Sequence, residues 1–588
     1  MSTCDLLLSG GHVIDVEAGR IVRADVCVQD GRIATVLPGG TAGSAAGVQA
    51  ARVLDVSGRF VAPGLMDAHL HIESSLLSPL AFARAAVLRG TTAVFVDPHE
   101  IANVQGRRGV ELFLEHAEHA PLDIFVGIPA CVPATALEDS GAAITLGDIA
   151  ELLDEPGVYG LAEMMNFPGI VHGRGDARAK VDATLARGRL VDGHAPGLTG
   201  ADLRAYISNG RNDGVARITL DHESTSAAEA LEKLASGMSV AVRYGSASKD
   251  LPRVLPGMLA AHPALERVLL CSDDLDPAEL AADGHVDRIV RAARAVLLEA
   301  GEDFERATVR AIALATLHTA RHFAPFFRLT GRPEPGAVAP GRAANLIVLR
   351  SLEGLEVETV VRTGRVVVEQ GRLLANGEGP PVAGDAGPLA VARPLTPADL
   401  ALPCNGGRTR AEARVIGLAP GVWTRALRRT LPVRDGALAL DAETAKLVVV
   451  ERHHGTGTFA VGLVERLLRE GAIASTVAHD SHNIIAMGVD DAALVRAVNH
   501  LVAHGGGMVV VSDRLEHFPL EIAGLMSTGA LPEVAAGYTR IREAVQRIGG
   551  DPHLFMRMAF LALPVVPELR LTNRGLVDVN AFGFVPVC

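Results

Sequence analysis

In the middle of the chain, short apolar runs of strand length alternate with stretches in which apolar residues recur at helical spacing. The eight runs cover residues 65–71, 93–97, 124–129, 159–164, 190–194, 218–222, 240–244 and 268–273. Helical patterns follow them, for instance over 80–88, 177–186, 227–235 and 287–299. Alternation of this kind is typical of βαβ units, and eight units within roughly 270 residues predict an α/β fold, a (β/α)8 TIM barrel over 61–335.

Two β-rich segments flank the predicted barrel. Residues 1–60 contain strand patterns at 6–8, 13–16 and 24–28, with Asp30–Gly31 as a hairpin signal. Residues 336–375 show the same pattern of short predicted strands, at 345–349, 357–362 and 366–369, separated by glycines. We therefore expect both flanks to form one small β-sandwich domain beside the barrel.

The last third of the chain reads as a separate unit. Residues 375–395 are rich in Gly and Pro, which predicts a linker. Residues 396–588 are expected to form an additional C-terminal α/β domain, with strands at 447–450, 472–477 and 508–511.

Composition narrows the class of partner. The 588 residues carry a formal net charge of −13, and the basic residues are scattered along the chain. This distribution of charge disfavours nucleic acid or an anionic membrane as the main binding partner. The six cysteines lie far apart without a C-x-x-C pair, so neither a disulfide framework nor a cysteine zinc site is predicted. The amino terminus lacks the pattern of a signal peptide, and no uninterrupted apolar run reaches about 18 residues. We expect a cytoplasmic protein.

Potential metal ligands stand at the ends of several predicted strands. The first run carries Asp67, His69 and His71 at alternate positions, which predicts that all three point one way. Later runs end in Glu163, His194, His222 and the pair Asp273–Asp274.

In a TIM barrel the carboxyl ends of the strands meet at one mouth. Four imidazoles with two or three carboxylates exceed what one zinc ion needs and suit two divalent ions bridged by a carboxylate and a hydroxide. Taken singly, each residue has a structural alternative as a strand cap or a satisfied core group. The consistent position of the whole set favours the metal interpretation.

Several motifs resemble known families. Pro63, Gly64, Asp67, His69 and His71 match the P-G-x-x-D-x-H-x-H signature of the amidohydrolase superfamily. Longer strings resemble the bacterial adenine deaminases and lie at residues 91–104, 160–165, 192–197, 221–223, 272–274 and 479–483. The resemblance covers nearly the whole chain in matching order.

This resemblance implies a binuclear metal site and a reaction. His69 and His71 would be ligands from the first strand, Glu163 would bridge the two ions, His194 and His222 would hold the second ion, and Asp273 would be the carboxylate of the eighth strand. A glutamate at 163 in place of a carbamylated lysine separates this group from the hydantoinases and dihydroorotases. The metals would be Mn²⁺ or Fe²⁺, with Zn²⁺ as the alternative.

The implied reaction is hydrolytic deamination of adenine to hypoxanthine and ammonia, in purine metabolism. Asp273, Glu163 and Glu100 are the expected catalytic residues, with Asp273 acting as general base and then general acid. The expected substrate contacts are Asp97, His99, Glu100, Arg243, Ser246, Asp274 and His482.

Structural alternatives stay open for these contacts. The residues after the second strand could cap the loop at Pro98, and Arg243 could form a surface ion pair. His479, Asp480 and His482 could form a lid from the last domain or a turn held by Asx-type bonds. Two positions depart from the family pattern, since Tyr244 stands in place of Glu and Asn345 in place of Asp.

Other functions compete with this interpretation. Another amidohydrolase reaction, such as opening of a cyclic amide or deamination of a different purine, would use the same barrel and metals. A barrel without catalytic activity is a further alternative, but all six expected ligands are present. The small zinc nucleobase deaminases are excluded, because they require H-x-E followed by P-C-x-x-C. A homodimer that binds adenine, with neither nucleic acid nor membrane as partner, is expected.

Overall fold

Eight parallel strands follow one another in chain order in the middle of the protein. They are Leu65–His71, Thr91–Val96, Asp123–Ile128, Val158–Met164, Leu190–Gly193, Leu220–Asp221, Ser239–Arg243 and Val268–Cys271. After the eighth strand, the short strand Asp273–Asp274 pairs in parallel with Leu70 and His71 of the first. This pairing returns the sheet to its start, and the prediction of a TIM barrel is confirmed.

The computed structural model describes residues 2–39, 48–374, 384, 389–404, 408–419, 421 and 423–588. Of the predicted linker, residues 375–383 and 385–388 lie outside this set. Residues 389–395 form neither helix nor strand, and Leu395 is buried in the core of the C-terminal domain.

Helices surround the barrel sheet. They are Pro79–Val87, His99–Gln105, Arg107–His119, Leu146–Leu152, Phe167–His172, Ala177–Ala186, Gly200–Ile207, Ala227–Ala235, Leu251–Ala261, Pro277–Asp283, Val286–Glu299, Phe304–Leu314 and Leu317–Thr330. The helix Ala227–Ala235 shows why these segments are helical. The Ser226 side chain caps its first turn by accepting from the backbone N–H of Glu229, and Ala230 and Leu234 on one face are buried.

The last of these helices, Leu317–Thr330, closes the amino-terminal end of the barrel. Its Phe323 ring stacks on Phe95 with centroids 3.4 Å apart and meets Tyr159 edge-on at 5.3 Å. All three rings are fully buried. The interior of the barrel is therefore packed, and only its carboxyl-terminal end is left for chemistry.

Strands from both flanks pair in one nine-stranded sheet. The strands are Ser2–Asp15, Arg20–Gln29, Arg32–Pro38, Val48–Asp55, Phe60–Pro63, Leu346–Leu349, Val357–Arg362, Arg365–Glu369 and Arg372–Leu373. The flanks meet where Phe60–Pro63 pairs antiparallel with Leu346–Leu349. Asp30 and Gly31 both have positive φ in a two-residue hairpin, as predicted. The side-chain amide of Asn345 donates to Asp123 Oδ2 of the barrel (3.0 Å), so this position is structural.

The C-terminal region contains a further nine-stranded sheet and a three-stranded one. The larger consists of Arg410–Leu418, Thr424–Arg434, Ala437–Leu438, Thr444–Val450, Phe459–Glu465, Ala472–Ser475, Ile484–Gly488, Met508–Val511 and Leu515–Phe518, and the smaller of Leu569–Thr572, Gly575–Asp578 and Gly583–Phe584. The helices are Asp491–His504, Leu531–Arg547 and Leu554–Ala559.

One face of the larger sheet packs on the helix Asp491–His504, while Leu447, Ile473 and Met487 on the other face belong to the same core as the barrel. The C-terminal domain is therefore packed firmly on the barrel. Within the described residues, no helix combines the length and the apolar content that crossing a bilayer requires.

Replacing Phe323 with Ala is expected to lower the free energy of unfolding by about 3–5 kcal/mol, because a buried aromatic ring leaves a cavity in the barrel. The same change at Phe304, which is 37% exposed on the preceding helix, should cost about 1 kcal/mol or less. Urea unfolding followed by far-UV circular dichroism measures both. Equal losses would contradict the importance of the ring stack.

Candidate metal centre

Six side chains meet at the carboxyl-terminal mouth of the barrel, and we call them the metal cluster: His69, His71, Glu163, His194, His222 and Asp273. Five of them are buried and His194 is half-buried. They come from five strands or strand ends, and all are candidates from the sequence. The structure thus brings together the complete set of predicted ligands.

The carboxylate of Glu163 lies at the centre of the metal cluster. Its Oε1 is 3.5 Å from His71 Nε2, and its Oε2 is 2.5 Å from His194 Nδ1 and 3.3 Å from His222 Nε2. Each oxygen therefore faces a different set of imidazoles. A carboxylate placed in this way has the geometry of a ligand that bridges two cations.

His69, His71 and Asp273 form the other side of the metal cluster. The Nε2 atoms of the two imidazoles lie 3.2 Å apart, and Asp273 Oδ1 is 3.3 Å from that of His71 and 3.9 Å from that of His69. His71 Nδ1 lies 3.0 Å from the carbonyl oxygen of Asp97, to which it can donate. That bond directs the Nε2 lone pair into the cluster, as in histidines that bind metals. The donor set fits divalent cations.

Electrostatics at the metal cluster favour bound positive charge. Burial alone would raise the pKa of Glu163, but the charge of His194 and hydrogen bonds from the surrounding imidazoles hold it well below the ordinary value. Burial alone would lower the pKa of His71, but the contact with Asp273 and the charge of Glu163 raise it well above the ordinary value. The carboxylates are therefore ionised and attract a cation to this point.

Asp67 does not join the metal cluster, so the prediction that it points the same way as His69 and His71 is wrong. Its carboxylate accepts from the backbone N–H and the hydroxyl of Ser272, and His285 Nε2 lies 3.0 Å away. The pairing with the second strand shifts register between Asp67 and Leu70. Such an irregularity reverses the alternation of side chains, which separates Asp67 from the histidines.

Arg243 is buried beside the metal cluster, so the alternative of a surface ion pair is wrong. Its guanidinium lies 3.3 Å from Asp273 Oδ2 and 2.9 Å from Asp250 Oδ2, and it contacts Glu223. Glu223, whose Oε1 is also 3.5 Å from His222 Nε2, is a site residue that was not predicted. Its position directly after a predicted ligand was the available signal.

Two neighbours of Arg243 lie apart from the metal cluster. The hydroxyl of Ser246 accepts from the backbone N–H of Asp276 (2.9 Å), which ties the loop after the seventh strand to the eighth. The ring of Tyr244 lies under the guanidinium of Arg288, with the carbon 5.4 Å from the centroid. The replacement of the family's glutamate by Tyr244 thus serves a packing contact outside the cluster.

Asp97 and His99 both contact Glu163. Asp97 Oδ2 accepts from the backbone N–H of Glu163 (3.3 Å) and is 3.5 Å from His99 Nδ1. His99 Nδ1 is in turn 3.2 Å from Glu163 Oε1. Asp97 and His99, which were predicted to contact the substrate, therefore also lie close enough to hold Glu163 in position.

The C-terminal domain reaches the mouth through residues 479–483. The imidazoles of His479 and His482 each contact one oxygen of the Glu100 carboxylate, and Asp480 Oδ1 lies 3.7 Å from His99 Nε2. Burial alone would raise the pKa of Glu100, but these imidazoles, with that of His99, hold it well below the ordinary value. Glu100 is thus an ionised carboxylate held from both domains.

Two further histidines, which are not among the predicted site residues, support this segment. His453 Nε2 lies 2.8 Å from the carbonyl oxygen of Ser481, and His454 Nε2 lies 2.9 Å from that of Ser140. Asn483 donates to the carbonyl oxygen of Asp139 (2.7 Å). The loop after the third barrel strand and the C-terminal domain are therefore joined beside the mouth.

The chain is similar to known proteins over nearly its whole length. Residues 60–367 match the amidohydrolase family, and residues 421–583 match the adenine deaminase C-terminal domain. Proteins named adenine deaminase are 41% identical in Desulfatibacillum aliphaticivorans and in Methanothrix thermoacetophila, each over 99% of this chain and 97% of the relative. The adenine deaminase of Brucella suis biovar 1 is 42% identical over 99% of this chain and 94% of its own length. This chain, an amidohydrolase, belongs to the adenine deaminase family.

Proposed function

We propose that this protein hydrolyses adenine to hypoxanthine and ammonia. The observation that carries the proposal is the position of Glu163 between two sets of imidazoles, with Asp273 beside them at the mouth of the barrel. Relatives that match nearly the whole chain bear the name adenine deaminase. Site and family therefore support the same reaction.

The metal cluster divides into two groups of ligands in this proposal. His69 and His71 with Asp273 would hold one divalent cation, and His194 and His222 the other, with Glu163 between them. When bound, such cations supply ionised water at neutral pH and polarise the group under attack. We propose Mn²⁺ or Fe²⁺, although nitrogen and oxygen ligands also accept Zn²⁺.

Asp273 is the group that moves the proton. A new bond forms between C6 of adenine and the oxygen of water, and the bond from C6 to the amino nitrogen breaks. Asp273 takes one proton of the water and delivers it to the amino nitrogen, which leaves as ammonia, while the second proton of the water stays on the purine product, hypoxanthine. Burial alone would raise the pKa of Asp273, but the contact with His71 and the charge of Arg243 hold it well below the ordinary value, so it starts as a base.

Glu100 and His99 are proposed to hydrogen-bond ring nitrogens of the purine. His99 lies between Glu163 and Glu100, with Nε2 3.4 Å from Glu100 Oε1, and the position of both side chains beside the metal cluster supports this role. His482 Nδ1 accepts from the backbone N–H of Ala478 (3.1 Å), so its Nε2 donates to Glu100. Asp97, Arg243 and His482 then act by holding Glu163, Asp273 and Glu100 in place.

Opening of a cyclic amide would use the same metal cluster and is separated from deamination by its product. The homodimer and the cytoplasmic location stay predictions from the sequence.

Protein stripped of metal by a chelator is expected to release no ammonia from adenine. Mn²⁺ or Fe²⁺ should restore the activity, because a bound divalent cation lowers the pKa of water toward neutrality and so supplies the attacking group. The assay measures ammonia from adenine, adenosine and a cyclic amide in parallel. Release from adenosine without release from adenine would overturn the choice of substrate. Ring opening without ammonia would favour the alternative reaction.

Changing Glu163 to Gln removes one negative charge from between the two groups of imidazoles. We expect fewer than two bound metal ions per chain and loss of deamination, both read from elemental analysis and the ammonia assay. Glu151→Gln is the matched control, because Glu151 pairs with Arg107 on the exposed surface. A variant that retains both ions would contradict the bridging role.

Asp273→Asn is expected to lower kcat for adenine by about 100- to 10,000-fold, the usual contribution of a general acid–base group. Asp213→Asn, at an exposed carboxylate paired with Arg217, should leave kcat unchanged. Steady-state kinetics with metal content measured on the same samples gives the comparison. A loss of kcat below tenfold in metal-loaded protein would assign the proton transfer to another residue.

A further inference from the structure

One lysine is completely buried in the helix that follows the sixth strand of the barrel. Lys233 lies in the helix Ala227–Ala235, and its side chain is 0% exposed. Its Nζ is 2.7 Å from Asp221 Oδ2 and 2.8 Å from Glu229 Oε1. A buried ammonium is stable only when opposite charge surrounds it, and here two carboxylates converge on one cation. We call Lys233, Asp221 and Glu229 the buried ion triad.

Asp221 joins the loops that follow the fifth and sixth strands. It is the last residue of the sixth strand and directly precedes His222. Its Oδ1 accepts from the backbone N–H of Ala195 (2.9 Å), the residue after His194. Its Oδ2 accepts from the backbone N–H of Glu223 (3.1 Å), the residue after His222. One carboxylate therefore holds the backbone next to both histidines that are proposed to bind the second ion.

Glu229 makes the same kind of connection a few residues further along both loops. Its Oε1 accepts from the backbone N–H of Gly197 (2.9 Å), and its Oε2 accepts from the backbone N–H of Thr225 (3.1 Å). Lys233 Nζ contacts one oxygen of each carboxylate, and it thereby keeps two like charges close together in a buried setting. Without the ammonium the carboxylates repel each other, and the loops bound to them are pulled apart.

The other half of the metal cluster is held by different groups. His71 Nδ1 lies against the carbonyl oxygen of Asp97, and Asp273 follows Ser272, whose hydroxyl donates to Asp67. The hydrogen bonds of the buried ion triad described above go instead to the loops after the fifth and sixth strands. The triad is therefore placed to act on one half of the metal cluster.

We propose that Lys233 is a positioning residue for the second metal ion, the one assigned to His194 and His222. The inference rests on the proposed function, which places two divalent cations at the metal cluster. The ammonium fixes the spacing of the two loops, and the loops fix the spacing of the two imidazoles. Groups that orient metal ligands from outside the coordination sphere typically change metal affinity by about 10- to 100-fold. Loss of the ammonium thus weakens binding of the second ion and spares the first.

The test removes the ammonium and counts bound manganese. Equilibrium dialysis of Lys233→Met against Mn²⁺ is expected to show one ion bound as in the parent protein and a second ion whose Kd is about 10- to 100-fold higher. Because all six ligands are retained, ammonia release from adenine should fall at low Mn²⁺ and recover toward the parent kcat when Mn²⁺ is raised. Recovery of this kind separates a positioning role from general structural damage.

Lys180→Met is the matched control. Lys180 is also a buried lysine of a barrel helix, 6% exposed, and its Nζ donates to the carbonyl oxygen of Ala130 (3.0 Å) and lies 3.4 Å from Asp176. Ala130 belongs to the loop after the third strand, so both ions should bind to Lys180→Met as they bind to the parent. Loss of the second ion from this variant too would show an effect of general stability and overturn the assignment to Lys233.

A second background identifies which ion is affected. His194→Ala removes a ligand of the second ion, so the ion that remains is the one assigned to His69, His71 and Asp273. Adding Lys233→Met to His194→Ala should leave the Kd of this remaining ion within twofold, because the two changes act on the same half of the metal cluster. A larger increase would mean that Lys233 acts on the whole cluster, and it would overturn the proposal.

The possible failures are distinguishable. A parent protein that binds two ions and releases no ammonia from adenine overturns the proposed reaction alone, because the dialysis still tests Lys233. A Lys233→Met protein that binds both ions within twofold of the parent overturns the positioning role alone. If Lys233→Met does not fold, the double variant Lys233→Met with Glu229→Gln decides, since the net charge of the buried ion triad is then unchanged.

Discussion

The metal cluster depends on one buried carboxylate that holds the last strand of the barrel against the first. Asp67 accepts from the backbone N–H of Ser272 (3.1 Å) and from its hydroxyl (2.6 Å). The next residue, Asp273, then pairs with Leu70 of the first strand. Because hydrogen bonds to a buried carboxylate are strong and directional, this contact fixes the register in which Asp273 reaches His71. The closure of the barrel and the assembly of the cluster are thus the same structural event.

Charge balance is the second constraint on the site. Glu163, Asp273, Glu223 and Asp250 are carboxylates, and the guanidinium of Arg243 contacts the last three of them. Carboxylates buried at this density are stable only if positive charge compensates them. The imidazoles supply part of that charge when they are protonated, but as ligands they are neutral. Divalent cations therefore satisfy the site better than protons, because they compensate the carboxylates and leave the histidines as lone-pair donors.

The sequence predicted most of the scaffold and the ligands, because both follow from local pattern. The helices Ala177–Ala186 and Ala227–Ala235 have the predicted bounds. Glu163 is the penultimate residue of its strand and His222 directly follows its strand, so both lie at strand ends as expected. The orientation of Asp67 was wrong because an irregularity in strand pairing leaves no mark in the spacing of residues. The contacts of Glu100 escaped residue-level reasoning for a different reason. Its partner His482 is 382 residues away, and only tertiary packing brings them together.

The C-terminal domain is a physical requirement of the site rather than an addition to it. Glu100 is 2% exposed and ionised, and the two imidazoles that contact its oxygens from across the domain boundary belong to residues 479–483. His479 and His482 supply two of the three imidazoles whose charge compensates the buried carboxylate, and His99 of the barrel supplies the third. The shared core through Leu447 and Ile473 keeps the segment in position. The contacts between Glu100 and residues 479–483 thus join the two domains and fix the charge of this carboxylate at the mouth at the same time.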